Sequence, residues 1–478
     1  MPASPASAET PWGERPLKTR LRVLRTLRHR LADSVDELAE LVDGPNRRPS
    51  DTIAAEVLPL LEAIRFLEKR AAKILRTQRL GARGRPTWLL GVRGRIVRRP
   101  LGRVLVLGTW NYPLFLTGTH AVQALAAGNE VLIKPGRGCT ALTRRLAELM
   151  TEAGVPADAV AVLDESAEAA QSAIASGVDH IVLTGSSATA RKVLRQAAET
   201  LTPCTIEASG CDAVFVLPGA NLRRLADAVA FGMRFNGSAT CIGPRRVLCL
   251  RSDFDLIATT LEAKLGPMRV QPDPAAWQQA VRVAADSGGE VPEFNGRVHL
   301  DRSKPIDPAN LVASELVSPL LVLNPARESA LLRSDLFAPI VSVVPCGDEV
   351  DMLAADAACP YALGASVFGP QPAADAFAPR VRAGCVTVND LIVPTADPRV
   401  PFGGCGESGF GVTRGADGLL TMTRPHVVLT RRGRWLPHLD APHEQDRDLL
   451  AGLAEYGHRE RLGERMRGLR RLIAAARR

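Results

Sequence analysis

Residues 103–113 read Arg103-Val-Leu-Val-Leu-Gly-Thr-Trp-Asn-Tyr-Pro113. The apolar run Val104–Leu107 stops at a glycine and gives way to a polar turn, as a buried strand of a parallel sheet does. Val131–Ile133, Val160–Leu163 and Ile181–Leu183 repeat the pattern, separated by stretches of helical periodicity. This alternation predicts βαβ units and a doubly wound parallel sheet, which takes a nucleotide at the carboxyl ends of its strands. Trp110, Asn111 and Tyr112 then follow the first strand, Lys134 ends the second, and Gly185 and Ser186 end the fourth. The Asn111 amide is a donor for an oxyanion, or else a turn residue before Tyr-Pro. The Lys134 ammonium can reach ribose hydroxyls. Gly185-Ser186 opens a helix whose N–H groups suit pyrophosphate, and Ser186 reads equally as a plain N-cap.

Upstream, residues 17–45 and 51–78 carry apolar positions at helical spacing, with Gly44-Pro45 between them, and predict an antiparallel helix pair. Residues 93–99 alternate polar and apolar, a strand near the surface. Downstream, a second α/β region starts at Asp212-Ala-Val-Phe-Val and runs to about residue 390. Residues 435–478 read as a Pro-containing linker and one Arg-rich helix.

A chain of 478 residues, 46% apolar and 23% charged, suits two or three globular domains. It shows neither an apolar run of membrane-spanning length nor a secretory leader, and a reduced, cytoplasmic protein is expected. The nine cysteines stand singly, without the spacing of a disulfide framework or a metal site. The net charge of +9 sits at the ends: residues 1–30 carry seven Lys/Arg against two Glu, and residues 431–478 twelve Arg against seven Asp/Glu. No nucleic-acid motif accompanies it. The basic C-terminal helix reads as a solvated face, or as a contact with anionic lipid.

Cys241, in Asn236-Gly-Ser-Ala-Thr-Cys241, has small neighbours that leave a thiol uncrowded. A free thiol near its usual pKa of about 8.5 is mostly protonated at neutral pH and needs its site to activate it. Glu207 ends another apolar run and is a carboxylate able to activate water.

The order and spacing of Trp-Asn-Tyr-Pro, Lys134-Pro135, Thr184-Gly-Ser, Glu207, Cys241, Asp335-Leu-Phe-Ala-Pro339 and Pro401-Phe-Gly-Gly-Cys-Gly-Glu-Ser-Gly409 resembles the aldehyde dehydrogenase superfamily, from about residue 95 to 428. Asn-Tyr-Pro and the short N-terminus resemble its class for fatty and aromatic aldehydes. The resemblance implies an α/β fold: a doubly wound NAD(P)-binding domain (102–208), a catalytic domain (209–400) and a β-hairpin oligomerisation arm (83–101 and part of 401–434). N-terminal helices (1–82) pack on the cofactor domain, and 435–478 is the basic helix. It further implies a homodimer, no metal, Cys241 as nucleophile, Glu207 as base and Asn111 as oxyanion donor. Trp110, Lys134, Gly185, Ser186, Asp335 and Phe337 would hold NAD or NADP, while Tyr112, Phe402 and Asn389 would shape the aldehyde pocket with the 391–403 segment.

Several positions depart from the family pattern. Ser238-Ala239 replace Gly-Gln, Ala208-Ser-Gly-Cys211 replace Leu-Gly-Gly-Lys, Asp335 replaces Glu, and Ala338 and Ala190 replace Gly. Where many members carry a ribose-binding Glu, this chain has Arg137, which can pair with a 2′-phosphate, so NADP is expected to serve at least as well as NAD. Gly404-Cys-Gly-Glu-Ser-Gly409 matches G-x-G-x-x-G literally, but no βαβ unit surrounds it. Two rivals stand beside aldehyde oxidation: a relative that passes the thioester to something other than water, and a weakly active homologue that acts as a binding protein.

Overall fold

The computed structural model describes residues 10–42, 47–89, 91–293, 296–300, 316–432, 437–439 and 441–476, in two compact units. The first unit comprises residues 1–78 and 96–426. It holds a six-stranded sheet whose order is Gly409–Phe410, Cys204–Ala208, His180–Gly185, Arg103–Leu107, Glu130–Lys134 and Val160–Val162. Five of these strands are parallel, and Gly409–Phe410 closes the edge antiparallel to Cys204–Ala208. The four apolar runs of the sequence are all strands here. Helices separate them because each parallel return must cross a face of the sheet.

The Phe115–Ala127 helix is buried along its whole length and ends at Gly128, whose φ of 99° the missing side chain permits. Its entry is fixed from the N-terminal region. Glu56 accepts from the Leu114 and Phe115 N–H groups, at 2.6 and 3.0 Å, and pairs with Arg47 at 2.6 Å. Arg47 also donates to the Asn111 carbonyl at 3.0 Å. The expected helix pair is more broken than its periodicity suggests. The first stretch is two helices, Leu17–Asp33 and Val35–Leu41, and in the second a π-helical turn, Ile53–Val57, precedes Leu58–Ile74. Gly44-Pro45 lies outside the described residues.

This unit also holds an eight-stranded sheet. Its order is Gly296–His299, Glu290–Glu293, Leu320–Leu323, Ile340–Cys346, Pro244–Leu250, Asp212–Val216, Gly364–Phe368 and Cys385–Val388. Asp212–Val216 is buried on both faces, as its unbroken apolar run requires. A buried ion pair stands at its start: Arg246 donates to Asp356 at 2.8 Å and to the Cys211 carbonyl at 2.9 Å.

The second unit comprises residues 79–95 and 427–478. The strands Gln78–Leu80, Val92–Pro100 and Thr423–Arg431 form a three-stranded sheet. In place of the single C-terminal helix there are two, Asp446–His458 and Leu462–Ala476. They close on each other at Gly452 and Gly468, where a Cβ would stand 2.6 Å from Leu472 N and 2.5 Å from Tyr456 N respectively. Arg471 bonds Asp448 and Glu455 across the pair, so part of the basic face is consumed internally. The turn between them, Arg459-Glu-Arg461, has no Gly or Pro to mark it.

Candidate active site

The carboxyl ends of four parallel strands open on a cavity of about 500 Å³. Lys134, Gly136, Arg137, Gly185 and Ser186 line it at the strand ends, and Trp110, Asp335, Phe337, Glu207 and Cys241 complete the wall. A smaller cavity, about 110 Å³, is lined by Tyr112, Phe115, Phe235, Ile392, Val393, Phe402 and Arg414, with Ala54, Ala55 and Pro59 from the N-terminal helices. Glu207 and Cys241 line both cavities.

The thiol is carried by an unusual loop. Asn236, Gly237 and Ser238 have φ of 51°, 58° and 65°. Each non-glycine residue in that region costs on the order of 1 kcal/mol, so the surroundings must over-determine the turn. They do so through Arg245. Its guanidinium donates to Ser238 Oγ at 2.9 Å, to the Ser238 carbonyl at 2.7 Å and to the Ala338 carbonyl at 3.0 Å. Two of the departures from the family pattern, Ser238 and Ala338, thus meet on one arginine. Ser238 Oγ also donates to the Ala338 carbonyl at 3.0 Å.

Cys241 keeps part of its surface open to the cavities, yet burial pushes its thiol well up, and Glu207, Asp212 and Asp335 add to this while Arg414 opposes it. Glu207, 2% exposed, is a carboxylate near the thiol: burial raises its pKa, and Arg414 and the Thr413 hydroxyl oppose that rise. Thr413 Oγ1 donates to Oε2 at 2.8 Å, while Oε1 is buried with no hydrogen-bond partner.

Asn111 is fixed from every side. Its Nδ2 donates to the Ala239 carbonyl at 2.9 Å, and its Oδ1 accepts from Thr109 Oγ1 and Tyr112 N. One amide hydrogen is committed to Ala239, and the amide carries a second. The Tyr112 hydroxyl shares a hydrogen bond of 2.7 Å with Thr240, beside the thiol.

The larger cavity suits a dinucleotide by its donor set. The helices 167–175 and 187–200 contribute an apolar slot from Ala170, Ile174 and Val193, where a base can lie. The N-terminus of Ser187–Thr200, with Lys134, Arg137 and Lys192, supplies positive charge for phosphates. Trp110 and Phe337 stand edge to face, centroids 5.8 Å apart, in the same wall. Burial holds Asp335 up at about 6, against a hydrogen bond from Ser209 and the charge of Arg245. Burial lowers Lys134, opposed by Glu165 and Asp164, and the Glu165 carboxylate is taken by Thr140 and Gly138. Ser186 acts as the N-cap of its helix, its hydroxyl accepting from Thr189 N at 3.2 Å.

Asn389 is the one candidate the structure places elsewhere. It lines neither cavity, because its amide is spent on both backbone groups of Gly369, at 3.0 and 2.9 Å. The pocket wall expected from 391–403 comes from Ile392, Val393, Thr395, Ala396 and Phe402. Sequence reading missed Arg245, Thr413, Arg414 and the N-terminal alanines. Arg414 follows the glycine-rich run, and no spacing rule brings that position beside residue 207.

The aldehyde dehydrogenase family model matches residues 3–428. The chain belongs to the aldehyde dehydrogenase family. It is accordingly an oxidoreductase of the NAD(P)-dependent aldehyde dehydrogenase type, and the α/β architecture expected from the sequence is that of its structural neighbours. Among relatives, a 4,4'-diapolycopene aldehyde oxidase from a Methylomonas species is 27% identical over 447 residues, spanning 92% of this chain and 84% of that protein. A Mycobacterium tuberculosis aldehyde dehydrogenase complexed with NAD+ superposes with a TM-score of 0.77 at 24% identity, covering 90% of this chain and 88% of that one. A succinic semialdehyde dehydrogenase from Streptococcus pyogenes, in complex with NADP+, gives 0.76 at 20% identity, covering 88% and 92%. No helix among the described residues of this aldehyde dehydrogenase is long and apolar enough to cross a membrane.

Proposed function

We propose that this chain oxidises an apolar aldehyde to its carboxylic acid through a thioester on Cys241. The observation that carries the reading is that Cys241 and Glu207 line both the cleft suited to a dinucleotide and the small apolar cavity. Substrate can reach the sulfur from one side and cofactor from the other.

Glu207 takes the thiol proton, directly or through water, and the thiolate adds to the aldehyde carbon. The second N–H of Asn111 and the backbone N–H of Cys241 hold the oxygen as its charge develops, a contribution made chiefly in the transition state. NAD(P)+, when bound, supplies the hydride acceptor that turns the adduct into a thioester. Lys134, Arg137 and the N-terminus of the 187–200 helix would hold its phosphates, Asp335 a ribose and Phe337 the ring. Glu207, once it has passed the thiol proton to solvent, deprotonates water, which attacks the thioester; the proton taken from water returns to the departing sulfur, leaving acid and free thiol. The unpartnered Oε1 of Glu207 favours water as acyl acceptor, and so favours oxidation over acyl transfer.

The apolar lining from Phe115, Phe235, Ile392, Val393 and Phe402 selects an apolar substrate. The relative named for diapolycopene aldehyde is consistent with that class. Arg137, exposed in the cofactor cleft beside Lys134, favours NADP at least equally with NAD. The test is cofactor reduction with short, long-chain and aromatic aldehydes, run with NAD and NADP on wild type and Cys241→Ala. Turnover with apolar aldehydes that Cys241→Ala abolishes supports the proposal. No turnover with any aldehyde and either cofactor, or undiminished turnover in Cys241→Ala, rejects it.

A further inference from the structure

The glycine-rich run that mimics a dinucleotide fingerprint has another use. In the fold it is laid along the strand that carries Glu207: Gly409 pairs with Glu207 and Phe410 with Ile206, antiparallel. A Cβ on Gly409 would stand 2.1 Å from the Ile206 carbonyl oxygen, so only glycine permits this approach. The Ala208 N–H donates to the Ser408 carbonyl at 3.0 Å. The same segment then delivers Thr413, whose hydroxyl holds Glu207 Oε2, and Arg414.

Arg414 is 5% exposed and has φ of 58°, a strained conformation for a residue with a side chain. Its guanidinium is clamped. Nη1 donates to the Thr395 carbonyl at 2.8 Å, and the charge lies 4.0 Å from the Phe402 ring centroid and 5.5 Å from that of Phe115. Its Nε has no hydrogen-bond partner, and neither has Glu207 Oε1, although both residues line the small cavity with Cys241. A cation and a carboxylate are therefore buried in one cavity wall, each with an unspent polar atom.

Burial alone would favour the neutral acid, which cannot accept a proton from water. A nearby buried cation opposes that preference. We propose that Arg414 is a positioning residue: its charge holds Glu207 as the carboxylate, while Thr413 fixes one oxygen and leaves Oε1 for the hydrolytic water. This rests on the reaction assigned above to Cys241 and Glu207. The other groups around the pair do not supply the charge. Cys241 is surrounded by Glu207, Asp212 and Asp335. Cys241 and Cys385 face Arg414 as potential anions. His120, 3.3 Å from Thr184 in the neighbouring strand, is kept neutral by burial and by Arg414 itself, at about 3.

The test uses p-nitrophenyl acetate, which acylates a nucleophilic thiol without cofactor. The phenolate burst counts acylation, and the later steady release measures deacylation. With wild type, deacylation should fall on the acid side as Glu207 gains its proton. Arg414→Gln, which keeps a donor for Thr395, should retain the burst, move that limb up by about one pH unit or more, and slow deacylation roughly tenfold at pH values below the moved limb. Arg414→Lys should leave the limb close to its wild-type position. Arg414→Met, which has no donor at all, should match Arg414→Gln and serves if that variant fails to fold. A limb unmoved in Arg414→Gln or Arg414→Met, or a uniform loss at every pH shared with Arg414→Lys, would overturn the inference. A wild type without a burst, or a burst that persists in Cys241→Ala, would overturn the assigned reaction and this inference with it.

Discussion

The side-chain amide of Asn111 donates to the carbonyl of Ala239 at 2.9 Å, joining the loop after the first strand to the turn that presents Cys241. The same loop is held from behind, since the Asn111 carbonyl accepts from Arg47 and from Asn236 Nδ2, at 3.0 and 2.9 Å. An oxyanion donor gains from such preorganisation, because no reorganisation is needed as charge develops. Asn111→Ala should lower kcat by about a hundredfold to a thousandfold, with the affinity for cofactor little changed. Steady-state kinetics of the pure variant check this; a loss confined to KM would contradict the role.

Arg137 offers a second prediction. A guanidinium paired with a phosphate contributes about 1.5–3 kcal/mol, a factor of roughly ten to over a hundred. Arg137→Glu should lower kcat/KM for NADP by that order while changing the value for NAD by much less. Equal losses with both cofactors would mean that Arg137 does not meet the 2′-phosphate.

Asp335 gives a pH dependence. Burial holds its carboxyl up at about 6, so an anion able to accept hydrogen bonds from ribose hydroxyls forms as pH rises through that value. The KM for NAD should therefore fall between pH 5 and 7, and Asp335→Asn should flatten the profile. NAD is the cofactor to use, because the 2′-phosphate of NADP titrates near the same pH. A slope that survives in Asp335→Asn would assign it to another group.

Stability should depend on the pair Arg246 and Asp356, both buried and joined at 2.8 Å. Removing one partner leaves an uncompensated charge, which costs about 3–5 kcal/mol. Asp356→Ala should show that loss in denaturant unfolding; a change near zero would mean that solvent reaches Arg246.

Acid should weaken the fold through two buried histidines. Burial lowers His120 to about 3 and His180 to about 4, from a usual value of about 6.5. A depressed folded-state pKa gives stability that is complete above about 6.5 and is lost as pH falls toward those values. The thermal midpoint should decline over that window, and less steeply in His180→Gln, whose ring bonds Thr205 at 3.0 Å. An identical slope in the variant would contradict the contribution of His180.

The sheet that carries the cofactor cleft was legible because its strands are continuous apolar runs set off by helical stretches, a signal local to each segment. Cys241, Glu207 and Asn111 were singled out by the order of short motifs; the fold brings Cys241 and Glu207 to the junction of two cavities and Asn111 to the wall of the larger one. What escaped depends on contacts remote in sequence. Arg414 reaches the site only because Gly409 pairs with Glu207, and Arg245 matters only because the Ser238 turn and the Ala338 carbonyl converge on it. Asn389 was assigned to the pocket by resemblance alone, whereas its amide is taken by Gly369. The two C-terminal helices read as one because charged residues alone mark their turn.

The measurement that meets the central claim most directly is the mass of the Cys241 peptide from Glu207→Gln. The variant would be quenched with acid during turnover of an apolar aldehyde and NADP at alkaline pH. There buffer base can take the thiol proton in place of Glu207 while deacylation still lacks its carboxylate, so that the thioester should accumulate. A peptide heavier by the acyl group, with the other eight cysteines unmodified, is the predicted result. Acylation of a different cysteine, or none while the variant still reduces cofactor, would contradict the account.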